Sequence, residues 1–217
     1  MKQYELLAKA QDFASTTGGL LNATICDGRP ITAVNTGVDG LVRVGHGLNA
    51  KNLIAEPIPL GIGKGKTRAW LTVSYTLRAD DDPRYMAVES SVYALAADEA
   101  SEHIVFHYDY ERGKRDDYPD AHLQIPLDKH RAWKRLSRAC GVDRDFAKLH
   151  LPVGGTRYRP TLEDVIRFVI REKLVDPRPD YMSAIERSET EWFRHQLRAA
   201  VRRDPETARL ALEEFDK

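Results

Sequence analysis

HIVFHYDYERGKRDDYPDAHLQI, residues 103–125, decides how the rest of the chain is read. Ile104, Phe106, Tyr108 and Tyr110 alternate with His103, Val105, His107 and Asp109, the period-two pattern of a strand that buries one face. A second arm alternates Ala121, Leu123 and Ile125 with His122 and Gln124. Between the arms, residues 111–120 hold Gly113, Pro119 and a run of charges through which no strand continues. Paired as an antiparallel hairpin with both apolar faces inward, the arms put His103, His107, Asp109, Glu111, His122 and Gln124 on one hydrated face. An imidazole beside a carboxylate can hold and pass a proton near neutral pH, which makes His107, Asp109 and His122 the candidate catalytic group. The plainer reading, an ordinary solvated face of an antiparallel sheet, stays open beside it.

Outward from this hairpin the pattern is that of an α+β protein. Leu71, Val73, Tyr75 and Leu77 alternate with Thr72, Ser74 and Thr76, and an acidic turn follows at 79–83. A further strand over 85–95 is expected to turn Met86, Val88 and Val92 inward, with Glu89 and Tyr93 on the face of the histidines. Short links make the four strands an antiparallel meander over about 70–126.

The period then becomes helical. Asp128 and Gly141 bound a helix on which Arg131, Lys134, Arg135 and Arg138 form a basic stripe opposite Trp133 and Leu136. That stripe either contacts a phosphate backbone or pairs with Asp116, Asp117 and Asp120. The loop HLPVGGTRYRP, residues 150–160, brings Arg157 and Arg159 to a helix start marked by Thr161 and Asp164. A helix start beside two arginines suits an anion, and two solvated arginines are the alternative. Leu162, Val165, Ile166, Val169, Ile170 and Leu174 give that helix its core stripe. Asp176-Pro-Arg-Pro179 breaks the chain ahead of helices at 183–203 and 205–215, where Trp192, Phe193, Leu197 and Val201 read as packing residues.

Before the meander, residues 2–15 read as a peripheral amphipathic helix stopped by Gly18-Gly19, and 20–60 as short β segments and loops. His46 reads as an exposed loop histidine. GIGKGKT, residues 61–67, lacks the first glycine of a phosphate-binding loop, since Leu60 stands there, and a strand rather than a helix follows it. Three segments result: 1–60, a helix with β and loop pieces; 61–175, the α+β core with its meander packed against helices; and 176–217, a helical appendage.

Composition narrows the function classes. With 217 residues the chain can bury a substantial core without staples, and Cys26 and Cys140 lack the spacing of a disulfide framework or a zinc site. Charges at positions 2, 5, 9 and 12 leave no room for a secretory signal, and the apolar runs are too short to span a bilayer, so a cytoplasmic protein with no membrane partner is expected. The net charge of zero divides unevenly: residues 61–128 hold 8 basic and 13 acidic side chains, residues 129–217 hold 20 and 15. A basic helical half can meet a polyanion or the acidic sheet half.

HYDYERGKRDDYPDAHLQI, followed by a helix-forming segment, resembles the toxin component of TumE-type toxin–antitoxin systems, over about residues 70–174. Tyr108 and Asp109 match the aromatic-Tyr-Asp strand of that family, and Pro119 with His122 its Pro-x-His strand. The resemblance implies growth inhibition through RNA or the translation apparatus, with a neutralising protein partner. The leading expectation is therefore an RNA-directed, metal-independent ribonuclease without cofactor, in which His107 and His122 exchange protons. In it Asp109 orients one imidazole, while Arg131, Lys134, Arg135, Arg138, Arg157 and Arg159 bind nucleic acid. The alternative is a non-catalytic protein-binding or assembly protein of a mobile genetic element. A two-histidine, one-carboxylate metal site is a third reading, weakened by the short separation of its members.

Overall fold

The computed structural model describes residues 1–38, 40–62, 66–113, 119–127, 148, 151–153 and 159–215. Among them eight strands form one antiparallel sheet: β1 (Ile31–Asn35), β2 (Val42–His46), β3 (Ile58–Ile62), β4 (Lys66–Ala79), β5 (Met86–Ala96), β6 (Ile104–Glu111), β7 (Ala121–Gln124) and β8 (Leu151–Pro152). Their order is β1-β2-β4-β5-β6-β7-β8, and β3 pairs with the first half of β4 on the edge that β2 takes further along. The helices are α1 (Gln3–Thr24), α2 (Leu162–Arg171), α3 (Tyr181–Arg203) and α4 (Pro205–Phe215). The α+β class with an antiparallel sheet is as expected, and the four-stranded meander is the middle of a wider sheet.

Strand parity builds the core. Leu71, Val73, Tyr75 and Leu77 of β4 face inward together with Val42 and Val44 of β2, and Leu6, Ala10, Ala14 and Leu21 of α1 pack over them. Leu162, Val165, Ile166 and Val169 of α2 cover the other part of that face, where the Phe106 and Phe168 rings meet edge to face at 5.5 Å. The reciprocal Thr161–Asp164 capping box that starts α2 satisfies backbone groups that would otherwise be orphaned.

Two expectations change. Rather than stopping at Gly18-Gly19 as a peripheral element, α1 runs on to Thr24 with eight buried residues. At Gly18 a β-carbon would meet Ile31 in ordinary contact at 3.5 Å, and burial of Leu20, Leu21 and Thr24 beyond it outweighs the low helix propensity of Gly18-Gly19. In β5 the register passes from Thr76↔Ser90 to Leu77↔Val88, so Glu89 is a bulge residue. One extra residue inverts the facing of everything beyond it. Tyr93 therefore points into the core at 6 % exposure, Val92 takes the outer face, and the Glu89 carboxylate accepts from Arg78 at 2.6 Å. Burial of the Tyr93 ring outweighs its polar hydroxyl, which is hydrogen-bonded to Tyr75 at 3.0 Å.

Within the stretch GIGKGKT, Gly61 and Ile62 of β3 pair antiparallel with Thr67 and Lys66 of β4. Phe193, Leu197 and Val201, expected to pack, are exposed along α3 instead, on the side away from the core. No helix among the described residues is long and apolar enough to cross a membrane.

Candidate functional site

The β6–β7 register sets Asp109 directly opposite His122, and His107 lies two residues from Asp109 on the same face. Both imidazoles reach one carboxylate oxygen: His107 Nδ1 lies 2.9 Å and His122 Nε2 3.6 Å from Asp109 Oδ2. The group is recessed rather than hydrated as the alternation suggested, with side-chain exposures of 21 % for His107, 26 % for Asp109 and 7 % for His122.

Hydrogen-bond chemistry fixes the tautomers. The Pro119 carbonyl can only accept, so His122 Nδ1, 3.2 Å away, carries a hydrogen and donates it. Its Nε2 then faces Asp109, a contact that attracts only when the ring holds its second proton. Toward the Asp109 carboxylate His107 Nδ1 is the donor, which leaves the lone pair of the neutral ring on Nε2. Asp109 thus orients His107, and His122 lies behind Asp109.

The other expected members separate. His103 sits at the β5–β6 turn and pairs with Asp98 at 3.1 Å, because β6 begins only at Ile104 and its register with β5 shifts beside Val105. Gln124 is the cross-strand partner of His107. Arg131, Lys134, Arg135, Arg138 and Arg157 lie outside the described residues. Arg159 is on the helix side of the sheet, its guanidinium 4.0 Å from the centre of the Tyr110 ring and 6.0 Å from that of Trp192. Tyr110 faces the core while Asp109 faces out, so Arg159 does not face the histidines. Among the described residues no group of three or more His, Cys, Asp or Glu side chains is placed to hold a metal ion.

Sequence reasoning missed a second polar region, a cavity of about 530 Å³ between α1, β4, β5 and α3. At one end the Tyr75 and Tyr93 hydroxyls meet, and burial pushes Tyr93 up to about 12 and Tyr75 well above its ordinary value. Nearby, Glu163, 6 % exposed, accepts from Ser188 at 2.6 Å. At the other end Arg112 and Arg203 share Asp80 at 4.0 and 3.9 Å. The available signal was the spacing of Trp192, His195, Gln196 and Ala199, a helical face lining this space.

The fold and the outer-face cluster define an α+β protein with a carboxylate-oriented histidine on an antiparallel sheet. No family model, curated protein or solved structure matches the chain.

Proposed function

We propose that the chain is an RNA-directed, metal-independent ribonuclease whose proton carrier is His107. The observation that carries this reading is the convergence of two imidazoles on one oxygen of Asp109. A base must present a lone pair while its other nitrogen is held, and His107 meets that requirement through Asp109. His107 Nε2 takes the proton of a ribose 2′-hydroxyl as that oxygen bonds to phosphorus. The bond from phosphorus to the 5′-oxygen breaks, and solvent protonates the leaving oxygen, which gives a 2′,3′-cyclic phosphate. His122, recessed and turned to Pro119 and Asp109, is a positioning residue that backs the carboxylate and confines it sterically. The resemblance of residues 70–174 to TumE-type toxins supplies the substrate class and implies a neutralising protein partner.

The test is cleavage of total RNA by purified protein in EDTA. His107→Ala is expected to abolish it, and His122→Gln to lower kcat and alter the pH profile with little change in KM. A His107→Ala variant that cleaves like the parent contradicts the assignment.

One observation favours a second reading, a non-catalytic binding or assembly protein. Phe193, Leu197 and Val201 lie exposed at four-residue spacing on α3, and Leu212 and Phe215 are exposed on α4. Arg194 and Arg198 flank the first row, and Glu213 and Glu214 the second, so the charges favour a second copy of the chain as occupant. Light scattering that reports a dimer, lost in Phe193→Glu, together with absence of RNA cleavage, would favour this reading over the first.

A further inference from the structure

We infer that the inner-face cavity binds a planar heteroaromatic ligand carrying a compact anionic group, of the chemical type of a nucleoside monophosphate. This inference does not rest on the ribonuclease reading, since the cavity and the histidines lie on opposite faces of the sheet.

Protein interiors leave few voids larger than a water molecule. A space of about 530 Å³ is beyond a packing defect and falls in the range of roughly 300–1,000 Å³ typical of small-molecule sites. Its walls combine the two elements such a ligand needs. Trp192 supplies a ring face for a planar body, and Phe13 and Tyr85, engaged by Tyr75 and Arg202, add aromatic wall. At the floor, the Tyr75 and Tyr93 hydroxyls, Ser188 and the Glu163 carboxylate give donors and acceptors for a ring edge. Only one hydroxyl hydrogen can lie between the two tyrosine oxygens, so the pair keeps a further hydrogen to offer.

The opposite end is built for negative charge. Asp80 is the one carboxylate between Arg112 and Arg203, and at 4.0 and 3.9 Å both guanidinium contacts are longer than a hydrogen bond. Arg112 is already fixed by donating its Nε–H to the Val88 carbonyl at 3.0 Å, so its terminal nitrogens are held in place. Arg202 lies 3.8 Å over the Tyr85 ring, which stacks its plane and leaves its edge available. Two guanidiniums on one carboxylate, Arg112 and Arg203 on Asp80, leave a local excess of positive charge that a phosphate would neutralise through paired N–H donors. Phe13 stands against Tyr75 at the floor and Tyr85 beside Asp80 at the charged end, so aromatic rings line the space at both ends.

The experiment is isothermal titration of the full chain with AMP, adenosine, inorganic phosphate and indole-3-acetate. AMP is expected to bind at least roughly tenfold more tightly than adenosine or phosphate alone. Arg203→Gln, a change at the exposed end of α3, should weaken AMP by roughly tenfold and leave adenosine unchanged, whereas Trp192→Ala should weaken both. His107→Ala should bind AMP as the parent does. No heat with AMP up to about 5 mM overturns the inference. So does AMP binding unaffected by both cavity variants, or tighter binding of indole-3-acetate than of AMP.

Discussion

The two faces of the sheet hold their polar groups in opposite ways. On the outer face two imidazoles crowd onto a single carboxylate oxygen within 3.6 Å, and the group is mostly covered. On the inner face charged and hydroxyl groups stand around a space of about 530 Å³ that aromatic rings also line. Short contacts between titratable groups suit the transfer of a proton, while dispersed donors around a volume suit the holding of a molecule. On the proposed reading one sheet separates a reactive cluster from a binding cavity, and each is expected to be perturbed without the other.

The largest expected effect is catalytic. Asp109→Asn keeps the size of the side chain and removes the charge that orients His107, so RNA cleavage should fall by roughly 10²–10⁴-fold in steady-state kinetics. AMP binding in the same variant should be unchanged. If both fall together, the two faces are not independent.

Next comes the core beneath both regions. Ile166 is fully buried on α2, and Ile166→Ala should cost roughly 2–5 kcal/mol in denaturant unfolding. A cost below about 1 kcal/mol would mean that α2 does not clamp the inner face as described.

The faces also differ in alkaline response. Burial raises Tyr93 from 10.0 to about 12 and Cys26 from 9.0 to about 12 in the folded chain. Each group is therefore more easily deprotonated when unfolded. The stability tied to its protonated form is complete below the unfolded value and is lost as pH rises toward the folded one. Unfolding midpoints should hold near pH 8 and fall between about pH 9 and 12, with the phenolate absorbance of Tyr75 and Tyr93 appearing together with unfolding. A full phenolate signal from the intact fold near pH 10 would place the Tyr75–Tyr93 pair in solvent instead.

The smallest effect concerns what holds α3 over the cavity. Arg167 donates to both oxygens of Glu189 at 2.9 and 3.0 Å, and this hydrogen bonding keeps the Glu189 carboxyl below its ordinary value of 4.5. Its contribution is present above that value and is lost as pH falls through the lowered one. The pair is partly exposed, so Glu189→Gln should cost at most about 1 kcal/mol in thermal unfolding. The same variant should weaken AMP more than it changes RNA cleavage.

The outer cluster was legible in the sequence because it depends on strand alternation and a single hairpin. His107, Asp109 and His122 needed only the parity of β6 and β7 to meet. The α2 start was legible for a similar reason, since Thr161 and Asp164 form their capping box within one turn. Tyr93 was misplaced because a bulge at Glu89 shifts parity, and nothing local in the sequence marks that insertion. Gly18-Gly19 misled because burial of Leu20, Leu21 and Thr24, not helix propensity, carries α1 on to Thr24. The cavity was illegible because its groups come from segments as distant as Lys9, Asp80, Arg112 and Arg203, which only the packing of α1 and α3 on the sheet brings together.

The most direct measurement is two-dimensional ¹H–¹⁵N NMR of the imidazole nitrogens in the intact chain and in Asp109→Asn. In the parent, neutral His107 should carry its hydrogen on Nδ1 with Nε2 bare, His122 should be protonated on Nδ1, and the His107 signals should change in Asp109→Asn. A His107 ring protonated on Nε2 and indifferent to that substitution would contradict the account.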